Sequence, residues 1–205
     1  MKPILAAILA ATLISAPAWA TTPEAAPIES LDSALLAVMK AGSANASFQS
    51  RYDQLSPQVE KTLNLSVILQ NSVGVLWSTS PAAQQHQLET VFEQFTVASY
   101  VNGFSSYGGQ QIQLLPNERS LGDKKIVESQ IVPADGGAPT RLDYVMADTP
   151  DSGWQATDVL LNGTISKVAI QSSDFSSLVT SGDASQLIAA LKSKVAALSG
   201  GALQD

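Results

Sequence analysis

The stretch SPAAQQHQLETVFEQFTVASYVNGFSSYGG, residues 80–109, decides the fold. Ser80 is a good N-cap residue, and Pro81 suits a first helical turn, where its missing N–H leaves nothing unpaired. Leu88, Val91, Phe92, Phe95, Ala98 and Val101 then recur at helical spacing, joined by Tyr100 and Phe104. The pattern predicts one helix of about 27 residues, roughly 40 Å at 1.5 Å per residue, ended by Gly108-Gly109. So long a helix is expected to curve or kink. Most of its aromatics are expected on one face, in its second half.

Immediately afterwards the residue types change. Gln110–Leu115, Lys125–Val132, Thr140–Ala147 and Trp154–Leu161 are short runs rich in branched residues. Turn chemistry separates them: Ser120-Leu-Gly-Asp, Ala134-Asp-Gly-Gly and Thr149-Pro-Asp-Ser-Gly. The third run alternates, with Leu142, Tyr144 and Met146 on one face and Arg141, Asp143 and Val145 on the other. Connections this short join antiparallel neighbours, because a parallel crossover needs about a dozen residues or more. Asn162-Gly163 predicts a turn, and Phe175–Leu178 and Ser185–Leu198 predict two closing helices.

Working outward the other way, Thr21–Ile28 carries two prolines and reads as a loose leader, residues 21–29 in all. Ser30 or Asp32 is placed to cap a first helix carrying Leu31, Leu35, Leu36 and Met39 and stopping at Gly42. A second helix is expected over Asn45–Leu55, with Phe48 and Tyr52 on one face, and Pro57 starts a third holding Val59 and Leu63 inward. Leu65–Trp77 fits a buried helix with Val67, Ile68, Val75 and Leu76 inside, although Gly74 interrupts it. Helices, a meander and more helices define an α+β domain. One domain is expected over residues 30–199, its four-stranded curved antiparallel meander packed by helices on one face, with a tail at 200–205.

The first 20 residues have the order of a secretory signal: Lys2, an apolar run from Ile4 to Ile14, then Ala18-Trp19-Ala20. Cleavage is expected after Ala20. Loss of Lys2 takes 11 basic side chains to 10 against 18 acidic ones, moving the formal charge from −7 to −8. That sign repels phosphate backbones, so nucleic acid is not an expected partner. The chain has no cysteine, so neither a disulfide nor a lipidated N-terminal Cys is available.

Several segments together resemble the MlaC family of periplasmic phospholipid-binding proteins, which includes the hopanoid-associated HpnM branch. They are Phe48-Gln-Ser-Arg-Tyr-Asp-Gln-Leu-Ser-Pro-Gln-Val, Val73-Gly-Val-Leu-Trp77, Phe95-Thr-Val-Ala-Ser-Tyr100 and Leu142-Asp-Tyr144. The series continues in Trp154-Gln-Ala-Thr-Asp158-Val159, Asn162-Gly-Thr-Ile-Ser166 and Asp174-Phe175. These keep their order over roughly residues 30–195. The family's arginine shortly before that last Phe is absent here, where Gln171-Ser172-Ser173 stands. The resemblance implies a soluble periplasmic shuttle carrying phospholipid, or a related lipid such as a hopanoid. Its implied partners are an inner-membrane ABC transporter complex and an outer-membrane lipoprotein complex.

Such a carrier needs an apolar hollow and no reaction. On the long helix, Phe95 and Phe104 are candidates for acyl contact; on the strands, Ile112, Leu142, Tyr144, Val159 and Leu161. For any single one of these positions, ordinary core is the commoner explanation. Tyr100, Tyr107 and Arg141 are candidates for the mouth, where a hydroxyl or guanidinium meets phosphate.

Catalytic candidates are few. The single histidine, His86, lies among glutamines on the polar side of the long helix and reads as solvated. No Gly-x-Ser-x-Gly elbow occurs, and metal sites built on Cys or paired His are excluded by count; no cofactor is expected. Asp143 and Asp158 would form a carboxylate pair only if their strands bring them together, which is the basis for an alternative as a cell-envelope enzyme. A protein-only periplasmic subunit is a third reading, and it predicts a filled core.

Overall fold

The computed structural model describes residues 22–203. The signal segment with its cleavage site after Ala20, and the last two residues of the tail, lie outside the described residues. The elements run α1 (Ala26–Ser43), α2 (Phe48–Thr62), α3 (Leu65–Val73), a 3₁₀ turn (Gly74–Thr79) and α4 (Ala82–Gly103). Then follow β1 (Gln111–Leu121), β2 (Lys124–Val132), β3 (Thr140–Thr149), β4 (Gly153–Leu161), β5 (Ile165–Ser166), α5 (Lys167–Phe175) and α6 (Ser185–Ser199). The strands form one antiparallel sheet in the order β1-β2-β3-β4-β5. The α+β class is as expected, with a fifth strand of two residues added at one edge.

The leader is shorter than expected. Pro27 in the first turn and Glu29 near the positive end start α1 at Ala26. Ile28, Leu31 and Leu35 are fully buried along one stripe, so Ile28 belongs to the core and not to a loose arm. Asp32 is buried mid-helix and caps nothing. Gly42 lies in the last turn of α1, where a Cβ would fall 2.0 Å from the Ser105 carbonyl oxygen. Only glycine permits that approach, which holds the segment leaving α4 against α1. At the other end, Leu203 packs half-buried against the core, so the tail is partly anchored.

The expected second and third helices are one. Ser47 caps α2 by accepting from Ser50 N at 3.1 Å, and the helix runs through Pro57 to Thr62. An interior proline costs about 3 kcal/mol. Here it lies on the exposed side, while Leu55 and Val59 are completely buried on the other. Continuous burial outweighs the break. By contrast Leu65–Trp77 divides: Asn64 caps α3, and Gly74 at φ +69° turns the chain into the 3₁₀ segment. Val75 consequently stands 86% exposed rather than inside.

Helix α4 is also shorter than expected, 22 residues with Pro81 at the N-cap and Ser80 one step outside it. It packs against α6 on one side and against α2 and α3 on others. Its aromatics therefore do not share a face. Phe95 turns toward α6, where the Lys194 ammonium lies 5.9 Å above its ring. Tyr100 and Phe104 stack on each other at 6.0 Å nearer the sheet. Arg51 donates from Nη1 to the Val101 carbonyl at 2.9 Å, placing a cation at the C-terminal turn of α4.

In the sheet, Val127, Tyr144 and Val159 lie across from one another, as do Ser129, Leu142 and Leu161. These face the helices. β1 bulges between Leu114 and Glu118, with Pro116 inside the bulge. After β5, Ser166 caps α5 by accepting from Ala169 N at 3.0 Å. The first closing helix thus precedes the Phe175–Leu178 segment, ending at Phe175.

Candidate functional site

Beneath the second half of α4 the core does not close. A hollow of about 280 Å³ lies between that helix and β2–β4. Tyr100 and Phe104 form one wall; Leu142, Val159 and Leu161 form the sheet wall, with Ile131 beside them. Ser99, Thr140 and Lys167 complete its rim. A smaller cavity of about 40 Å³ adjoins it under α3 and α5. The two share Tyr100, Val159 and Lys167. Leu63, Leu65, Ile68 and Phe92 give the smaller one apolar walls, joined by Asp158, Gln171 and Thr96, whose buried Oγ1 has no partner.

Five of the ten candidate residues therefore meet at one site: Tyr100, Phe104, Leu142, Val159 and Leu161. The other five are elsewhere. Phe95 belongs to the α4–α6 packing. Ile112 lines a separate hollow of about 210 Å³ between α1 and β1, with Glu29, Asp32 and Leu36 among its walls. Tyr144 is wholly buried and lines neither cavity under α4. Tyr107 sits beyond α4, its ring 5.2 Å from the Lys40 ammonium and its backbone N–H donating to Ser43 Oγ at 2.7 Å. Arg141 lies on the opposite face of the sheet, since strand alternation sends it away from Leu142.

That opposite face holds two arginines and two buried carboxylates. Arg119 Nε contacts Glu128 Oε1 at 2.7 Å, and its Nη2 contacts Asp143 Oδ2 at 2.5 Å. Arg141 reaches the same pair, Nη2 to Glu128 at 2.6 Å and Nε to Asp143 at 2.7 Å. Its hydrogen bonds to Asp143 hold the Arg141 guanidinium above its already high range, against the lowering effect of burial and helped by the charges of Asp143 and Glu128. A guanidinium so engaged is not a free anion receptor.

Asp158 keeps different company. Its Oδ1 accepts from Val159 N at 2.7 Å and Val168 N at 3.1 Å, and its Oδ2 from Ser166 Oγ at 2.5 Å. It therefore fixes the first turn of α5, while Asp143 serves the ion pairs. The two carboxylates share no partner, and the pairing behind the enzymatic alternative is not formed. His86 is exposed on α4, as expected.

Asp32 was not among the candidates for function. It is 5% exposed, receives Ser129 Oγ on Oδ2 at 2.8 Å, and leaves Oδ1 without a partner. Burial pushes its carboxyl up to about 7, against the lowering effect of Ser129 and with a smaller rise from Glu29. Tyr100 lies close enough for burial and the Asp32 charge to push its phenol up to about 12. Tyr144 is shifted upward by burial, then by Tyr100 and Asp32, and its hydroxyl is unpartnered. A polar cluster thus stands behind the apolar wall.

The fold and the hollow define an α+β protein with an apolar cavity between helix and sheet. The family model described as MlaC protein matches residues 29–193. The chain belongs to the MlaC family. A solved structure with a TM-score of 0.72 and 19% identity covers 85% of this chain and 98% of its own. That structure is the phospholipid-binding protein from Ralstonia solanacearum in complex with a phospholipid. At that identity the likeness establishes the fold.

Proposed function

We propose that this protein binds a phospholipid, tails inward, in the hollow under α4, and carries it across the periplasm without chemical change. The observation that carries this reading is the hollow itself, with Tyr100, Phe104, Leu142, Val159 and Leu161 as its walls. Membership of the MlaC family supports it, as does the phospholipid complex of the Ralstonia protein with the same fold. The energetic need is large. Each CH₂ transferred to water costs about 0.8 kcal/mol, so a diacyl lipid with about 30 methylenes faces roughly 24 kcal/mol in crossing an aqueous gap. An apolar cavity lowers that penalty in proportion to the methylenes it covers and needs no catalytic group.

The signal-like first 20 residues fit delivery to the periplasm, where the lipid would pass between an inner-membrane ABC transporter complex and an outer-membrane lipoprotein complex. An unfilled interior weighs against the protein-only subunit, and the different partners of Asp143 and Asp158 weigh against the enzyme. The test is organic extraction of protein purified from a Gram-negative periplasm, followed by mass spectrometry. About one lipid per chain is expected. Repeated preparations free of lipid, with no uptake from added vesicles, would overturn the reading.

A further inference from the structure

The geometry points to Lys167 as the residue that makes the cavity select lipids carrying a phosphodiester. This rests on the carrier reading and adds to it a specificity. Lys167 is the first residue of α5, and it is the one cationic side chain among those lining the two apolar cavities. It borders both of them, at the point where Tyr100 and Val159 are also shared. A lipid tail entering the larger hollow past this rim would leave its glycerol and phosphate beside Lys167.

The side chain suits that position. Its residue is exposed, yet it lines apolar walls, so the methylene stem lies along them with the ammonium toward water. Among the described residues no carboxylate forms an ion pair with it. Asp158, the anion nearest in the lining, is committed to the N–H groups of Val159 and Val168 and to Ser166 Oγ. The carboxylate satisfies the first turn of α5, so the ammonium is the remaining unmatched charge at the rim. In a chain of formal charge −7, a phosphate approaching elsewhere is repelled; here it meets a point cation. Arg141 offers no such contact, because it lies across the sheet with Asp143 and Glu128.

A partly exposed pair of this kind is worth about 1 kcal/mol, or roughly five-fold in affinity. The experiment offers the purified, delipidated protein an equimolar mixture of phosphatidylglycerol and diacylglycerol with identical acyl chains. Bound lipid is counted by native mass spectrometry. The wild type is expected to favour phosphatidylglycerol. Lys167→Gln should lower the ratio about five-fold, and Lys167→Glu about 20-fold, with thermal melting compared with the wild type as the control for folding. Glycerol 3-phosphate, which has the phosphate without tails, should leave the ratio unaltered; displacement of lipid by it would overturn the proposal. A wild-type ratio near one, with both lipids bound, overturns the selectivity and leaves the carrier reading standing. A high ratio that Lys167→Gln leaves intact overturns the assignment to this residue. Uptake of neither lipid defeats the carrier reading itself.

Discussion

The two faces of the β2–β4 region solve opposite problems. Toward the helices, Leu142, Val159 and Leu161 present hydrocarbon to a space that is left open. On the far side, Glu128 and Asp143, 5% and 0% exposed, are held by two arginines. Adjacent residues of one strand thus serve both: Leu142 in the cavity wall, Asp143 in the ion pairs. A wall beside a void lacks the packing that ordinarily fixes side chains, because its exposed atoms forgo dispersion contacts. The charge network ties β1, β2 and β3 together from behind and does not need the front to be filled. The lesson is that the open face and the bonded face are independent, and separate measurements should respond to each.

The largest effect is expected where polar chemistry reaches behind the open face. Asp32 titrates near 7 in the fold and near 3.8 when unfolded. Below the lower value both states are protonated and no difference arises. Between the two the unfolded state loses its proton first, so stability falls as pH rises, by roughly 4 kcal/mol in all, and levels off above the folded value. Denaturant titrations between pH 4 and 8 should show this fall. Asp32→Asn should remove most of it, and a variant as pH-dependent as the wild type would contradict the assignment.

Next in size is the bonded face. Asp143→Ala leaves Arg119 and Arg141 short of a buried partner and should cost about 3 kcal/mol in unfolding free energy. Bound lipid, measured in the folded protein, should not change. If retention fell in proportion to stability, the two faces would be coupled and the independence lost. Leu161→Asp reverses the pattern. A carboxylate in the half-buried cavity wall should reduce lipid retention by about 30-fold, equivalent to about 2 kcal/mol, and melting should shift little by comparison. Tyr107→Ala should do least. It removes a cation–π contact with Lys40 worth under about 1 kcal/mol and should leave retention within two-fold.

Much of this was legible in the residues. The alternation Leu142-Asp143-Tyr144 assigns the faces of β3 correctly, and the turn residues place the meander. That same alternation sets Arg141 apart from Leu142, so its candidacy for the cavity mouth conflicted with a pattern already present. Phe95 failed for a different reason. Helix α4 is covered by α6 as well as by other helices, so an aromatic at helical spacing carries no record of which neighbour it meets. Proline at 57 misled because its local cost is visible in sequence while the burial of Leu55 and Val59 is not. Lys167 had a faint signal: Ser166 followed by Val168 fits a capped helix start, but nothing local says that this start lies at the junction of two cavities. Asp32 is hidden for the same reason as Phe95, since burial comes from partners nearly a hundred residues away.

The sheet ends in ways that keep copies of the chain apart. β1 carries Pro116 within its bulge, and the exposed Asn117, Glu118 and Arg119 follow; β5 at the far border is two residues long. Proline withholds a donor, the bulge interrupts the ladder, and two residues give almost no template for backbone pairing. Backbone pairing with a second copy is therefore disfavoured along β1 and β5. A chain that leaves part of its interior greasy still blunts the strands that border its sheet.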